Sequence, residues 1–162
     1  MKLAENMKIV PIANQLDLNV GVAPTCDSIN MKGFHQATFI CQFTALGGAA
    51  MYCSPNSGAA DGALTSPLSY RYAMGGAATG SANCDVLAAT AVGTAATVFA
   101  HATYTNSMFV VEVKADEMDV DNGEEWLTLT FPDTATGMTG NVSVIAILEP
   151  RYSSARSATA LV

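Results

Sequence analysis

The chain reads as an all-β domain, a β-sandwich of jelly-roll type with an extended N-terminal arm and an extended C-terminal tail. Three observations predict it. Apolar and polar residues alternate with period 2 in several short runs rich in β-branched and aromatic residues. Turn-forming clusters of Gly, Pro, Asn and Asp separate those runs. No stretch carries the 3.6-residue apolar period of a convincing amphipathic helix. With 162 residues, half of them apolar, one domain can bury a substantial core.

Taken in order, residues 1–26 form the arm: short apolar pieces interrupted by Pro11, Gly21 and Pro24, with no sustained period. The domain itself spans 27–150 and the tail 151–162. In FHQATFICQFTAL, Ala37, Phe39, Cys41 and Phe43 share one face, with Thr38, Ile40, Gln42 and Thr44 on the other, which makes a half-buried strand. Gly47-Gly48 ends it, and AAMYC (49–53) reads as a short partner. From Ser54 to Thr90 the chain is loop-rich, broken by LSYRYAM (68–74), where Tyr70, Tyr72 and Met74 are in phase. The segment around 85–91 is too short to assign as a helix.

The last third is the most regular. TVFAHATY (97–104) leads into SMFVVEVKA (107–115), whose Phe109, Val111 and Val113 oppose Met108, Val110 and Glu112. In EEWLTLTF (124–131), Leu127, Leu129 and Phe131 oppose Trp126, Thr128 and Thr130. NVSVIAIL closes the set, bounded by Gly140 and Pro150, and Pro150 ends the strand because it has no N–H for a ladder. DEMDVDNGEE and PDTATGMTG are turns, with Asn122-Gly123 supplying a positive φ in the first.

Charge narrows the function. Only 13% of residues are charged, and the net charge is −7. That balance argues against binding nucleic acid, which needs cations along a phosphate track, and against adhesion to anionic membranes. No apolar run is long enough for a spanning helix, and MKLAENMKIV reads as no signal peptide. Cys26, Cys41, Cys53 and Cys84 show no metal-type spacing and read as reduced, packed thiols.

Eight of the fourteen acids lie between Glu112 and Asp133. Within that cluster Asp119, Asp121 and Glu124 are the candidate calcium ligands, because clustered carboxylates are hard oxygen donors. The spacing is not that of an EF-hand: counted from Asp119, the glycine falls at the fifth position instead of the sixth. The expectation is therefore a solvated turn without a metal. His35 and His101 are read as ordinary strand residues, and no GxSxG elbow or phosphate loop is present. The chain is not expected to be an enzyme, and no cofactor is expected. Trp126 with the tyrosines is the basis of a different reading, a carbohydrate-binding β-sandwich with stacking aromatics.

Three segments carry a family resemblance: DSINMKGFHQATFICQFTALG (27–47), FVVEVKADEMD (109–119) and VSVIAILEPRYSSA (142–155). Together they look like the head decoration, or cement, proteins of tailed bacteriophages. The resemblance implies a β-sandwich, commonly a homotrimer, that sits on the outside of the capsid over junctions between major capsid protein subunits. It implies synthesis in the host cytoplasm and a place on the outer virion surface. Its partners would be the major capsid protein and further copies of itself. The interface candidates are Glu149, Arg151 and Tyr152 in the tail region, and Leu16, Leu18 and Val20 in the arm. Arg and Tyr are residue types enriched at interface anchors. Other β-rich virion parts, such as a tail-tube, turret or head-fibre-base subunit, share the pattern.

Overall fold

The computed structural model describes residues 3–19, 23–48, 50–77, 85–132, 137–153 and 159–161. It is all-β, with antiparallel pairing in every sheet. The strands are β1 Lys8–Asp17, β2 Ile29–Asn30, β3 Phe34–Phe43, β4 Met51–Tyr52, β5 Ser54–Gly58 and β6 Ser66–Pro67. They continue with β7 Tyr70–Ala77, β8 Ala91–Gly93, β9 Val98–Phe99, β10 Ser107–Lys114, β11 Trp126–Thr130 and β12 Asn141–Pro150. Two four-residue α-helices, α1 Leu3–Asn6 and α2 His101–Tyr104, and two single-turn 3-10 helices, Ala115–Glu117 and Val120–Asn122, complete the described elements. No helix among the described residues is long and apolar enough to cross a membrane.

Six strands form the larger sheet in the order β1-β12-β3-β10-β7-β8, and four form a second sheet, β2-β11-β5-β6. β4 pairs with β9, not with β3 as its sequence position suggests. The alternation seen in the sequence sets which side chains are buried. On β3, β10 and β12 every second residue (Ala37, Phe39, Cys41, Phe43; Phe109, Val111, Val113; Val142, Val144, Ala146, Leu148) is buried in one core. Ile29, Leu127, Leu129 and Phe131 enter the same core from the second sheet or its end. Phe43 joins the two contributions by an edge-on contact with Phe131, ring centroids 5.8 Å apart. Phe109 is an aromatic hub, with Phe99, Tyr72 and Tyr104 centred 4.9, 5.4 and 5.6 Å away.

Two departures from the sequence reading matter for function. The segment read as an arm is, from Lys8 to Asp17, an edge strand paired with β12. Val10 and Ile12 face the core, but the pairing shifts register between Pro11 and Ala13 and again before Leu16, and Gln15 has φ 51°. Those irregularities erase the period that would have revealed a strand, and an edge position tolerates Pro11. The second departure is SPNSG, read as loop, which is strand β5 with all five residues buried. Its polar atoms are bonded internally: Asn56 donates to the Ser54 carbonyl at 2.8 Å, and Thr130 donates to the same carbonyl at 3.0 Å.

Candidate functional site

The larger sheet has a second face, and one row across it is aliphatic where water normally selects polar residues. Antiparallel sheets with one face on the core normally carry polar residues on the other. Here the pairing registers align Pro11, Ile145, Ile40, Val110 and Ala73 in one row across five consecutive strands. The next row runs Ile9, Ile147, Thr38, Glu112, Arg71 and Val92. On one side lies Ser143, Gln42 and Met108; on the other, Glu149, Gln36 and Lys114. One central row is thus aliphatic; the other is aliphatic toward β1 and β12 and carries Thr38, Glu112 and Arg71 across β3, β10 and β7, and the outer rows are largely polar.

Exposure agrees with this placement. Ile145 is 44% exposed and Ile9 46%, while Ile40, Val110, Met108 and Ile147 are half-buried by their neighbours in the sheet. Ala73 is the exception, buried at 6%. It lines a shallow cavity with Val110, Glu112, Leu87 and Thr90, and the chain at Leu87 bridges to Gly75, so the chain's own 87–90 segment lies over this end of the face. At ~4.8 Å between strands and ~3.4 Å per residue, six strands and seven residues span about 24 by 20 Å. The aliphatic row is one of the four rows within that area. The signal was present in the sequence. MFVV and VIAIL are continuous apolar runs, which indicate strands covered on both faces.

The interface candidates read from the sequence are dispersed. Glu149 stands on the polar border of this face. Arg151 is exposed but held to its own domain: its N–H donates to the Gly33 carbonyl at 2.8 Å and its Nε to the Phe34 carbonyl at 2.9 Å. It lines a cleft of about 160 Å³ with Met31, Lys32 and Met118, and another with His35, Lys114 and Glu149. Tyr152 is 68% exposed. Leu18 is not an outward anchor: it is buried in the core, and its N–H donates to the Gly140 carbonyl at 2.9 Å. Leu16 is also turned inward, partly buried against the core. Val20 lies outside the described residues. The end of the tail returns to its own domain as well. Ala160 is buried, and its carbonyl accepts the Asn30 N–H at 2.9 Å.

The three carboxylates considered for calcium are not brought together. Asp119 accepts a bond from the Asn122 side chain at 2.7 Å, Asp121 is exposed, and Gly123 takes the positive φ of 77°. Glu124 turns the opposite way, into the domain. It is 5% exposed, and its two oxygens accept bonds from Ser57 Oγ at 2.5 Å and Ser66 Oγ at 3.1 Å. A pair of adjacent glutamates cannot say in sequence which one turns inward. Glu125 stays at the surface, 3.7 Å from Lys32.

The aromatics considered for sugar stacking are committed elsewhere. Tyr70 is buried, and Tyr72 and Tyr104 pack in the Phe99–Phe109 cluster. Trp126 is half-buried on β11, in the other sheet. Cys26, Cys41 and Cys53 are buried free thiols. Burial, with help from Asp27, pushes the Cys26 thiol up to about 12, and burial raises Cys41 and Cys53 well above the ordinary value. These thiols are therefore poor nucleophiles and poor metal ligands, since both roles require the thiolate. Cys84 lies outside the described residues.

Compared with protein-family models, curated proteins and solved structures, the chain matches none.

Proposed function

We propose that the chain is a structural virion subunit, a decoration or cement protein that binds the outside of a phage head and stabilises the major capsid protein lattice. The three segments that resemble that family supply the role. The observation that supports the reading is the outer face of the six-stranded sheet, where Ile9, Ile145, Ile147 and Ile40 form an aliphatic patch across β1, β12 and β3 that suits burial against protein. A face of this kind left in water forgoes about 25 cal/mol for each Å² of apolar area that a cover would bury.

The described parts of the arm and the tail's end lend this reading no support. β1 and Ala160 are occupied by their own domain. Among the described residues, the outer sheet face of the folded body is the better candidate for association. The work of such a protein is mechanical and needs no catalytic group. A subunit that binds the assembled lattice but not free capsid protein stabilises the shell by linkage, about 2.7 kcal/mol per site at a free concentration 100 times Kd. Repeated over many sites, such increments resist internal DNA pressure.

Mixing purified protein with expanded, undecorated heads tests the reading. The expected result is saturable binding, visible as added density outside the shell, and a higher melting temperature of the heads. Heads that bind none of it, or melt at the same temperature with it bound, would refute the role.

A further inference from the structure

We infer that the cleft beside Arg151 binds an acidic side chain of a protein partner, together with an apolar side chain next to it in the partner's sequence. The site is read from the cleft alone and stands whether or not the chain decorates a head.

The hold on Arg151 is the first reason. Arg151 directly follows β12, and two bonds fasten it to the start of β3: its backbone N–H to the Gly33 carbonyl and its Nε to the Phe34 carbonyl. The Nε bond fixes where the guanidinium sits and leaves its terminal nitrogens to other acceptors. Among the described residues no carboxylate forms an ion pair with it, although Asp116 and Glu149 line the adjoining cleft. A guanidinium held in place with its outer fork unspent suits a carboxylate, which takes two parallel N–H bonds. Because the fold has already ordered this side chain, binding costs less.

Charge is the second. In a chain of net charge −7, the cleft holds two cations, Lys32 and Arg151, against one acid, Glu125. Lys32 and Glu125 stand 3.7 Å apart and answer each other, so the surplus belongs to Arg151. In the adjoining cleft Lys114 and Arg151 are balanced by Asp116 and Glu149. An incoming carboxylate is therefore drawn to the first cleft.

Shape is the third. Met31, Ala115 and Met118 are buried side chains that line the cleft beside Arg151. Its volume is about 160 Å³, and an apolar cavity of ~150 Å³ holds one benzene-sized group. That is room for one leucine- or phenylalanine-sized side chain, so the body of the ligand stays outside. A carboxylate and an apolar group presented together from outside are what neighbouring positions of a peptide chain supply. The two methionines let the floor adapt to more than one apolar shape. The adjoining cleft continues toward the outer sheet face, since its Gln36, Lys114 and Glu149 form a polar row of that face.

A nitrogen-15 NMR titration of the intact chain tests this. The probes are a blocked Leu-Asp-Leu tripeptide, its Leu-Asn-Leu counterpart and sodium acetate. The aspartyl peptide should shift the amides of Lys32 and Arg151 saturably, with Kd about 1–10 mM. The asparaginyl peptide and acetate should each bind at least about fivefold more weakly, the first for want of charge and the second for want of an apolar group. Arg151→Met, which keeps an apolar stem, should abolish the preference for aspartyl over asparaginyl peptide. Arg151→Lys, which keeps the charge and loses the fork, should weaken aspartyl binding about threefold or more. Lys32→Met should leave the preference in place. No saturation up to about 50 mM, equal binding of the two peptides, or acetate as tight as the aspartyl peptide would overturn the proposal on the wild type alone. So would a preference that survives in Arg151→Met or disappears in Lys32→Met.

Discussion

Glu124 is the most informative single residue to remove. Its carboxylate is 5% exposed and accepts hydrogen bonds from Ser57 Oγ and Ser66 Oγ, tying the acidic turn before β11 to β5 and β6. Hydrogen bonds to a charged group contribute about 1.5–3 kcal/mol each. Glu124→Ala removes two of them and strands the hydroxyl of Ser57, which is fully buried. Part of the loss is offset, because the folded protein no longer desolvates a carboxylate. The net cost is then about 3 kcal/mol. For a chain of this length each kcal/mol shifts Tm by about 2–4 °C, so the drop should be about 6–12 °C. Glu124→Gln keeps the shape and an acceptor and should lose about half as much. The assay is a thermal melt of Glu124→Ala, Ser57→Ala and the double variant. Coupling of about 1–2 kcal/mol in that cycle is expected. Added calcium should leave the wild-type Tm where it is. Additive single effects, or a Tm within ~1 °C of wild type for Glu124→Ala, would refute the internal tie. A calcium-induced rise that depends on Glu124 would return the residue to metal binding.

Two further outcomes follow from the packing. Because burial holds the Cys26, Cys41 and Cys53 thiols protonated in the folded state, the unfolded chain releases those protons first as pH rises past 9.0. Stability is then fully present below that pH and falls above it, by about 1.4 kcal/mol per pH unit per thiol until the folded value is reached, about 12 for Cys26. Thermal melts between pH 7 and 10, below the range in which Tyr70 and Tyr104, also raised by burial, add to the slope, should show this decline, shallower by about a third in Cys26→Ala; a flat profile to pH 10 would refute it. Removing residues 159–162 deletes the Asn30–Ala160 bond and the apolar contact of Leu161, and should lower stability by about 1–2 kcal/mol without reducing attachment to heads. An unchanged Tm with lost attachment would instead make the tail a gripping element.

The face described above was legible only in part. β3 and β10 were read with Ile40 and Val110 pointing away from Phe39 and Phe109, and the pleat keeps them there. The sequence did not say that Ile145 would stand beside Ile40, since the two are paired across more than a hundred residues. β1 was missed because register shifts beside Pro11 break its period. Leu18 looked like part of a free arm for the same reason, and a one-dimensional pattern has no means to show that its N–H bonds to Gly140.

Side-chain alternation on β3, β10 and β12 was settled by sequence alone, because each residue's direction in a pleated strand depends only on its neighbours in the chain. So were the all-β class and the turn at Asn122-Gly123, whose glycine takes the left-handed conformation that a Cβ disfavours. Tertiary structure decided which strands lie side by side, and hence that five separate aliphatic side chains join into one row. It also decided that Glu124 turns inward, while Asp121, three residues earlier, stays in water. These outcomes depend on contacts between segments far apart in sequence, whose energies exist only once the chain has closed on itself.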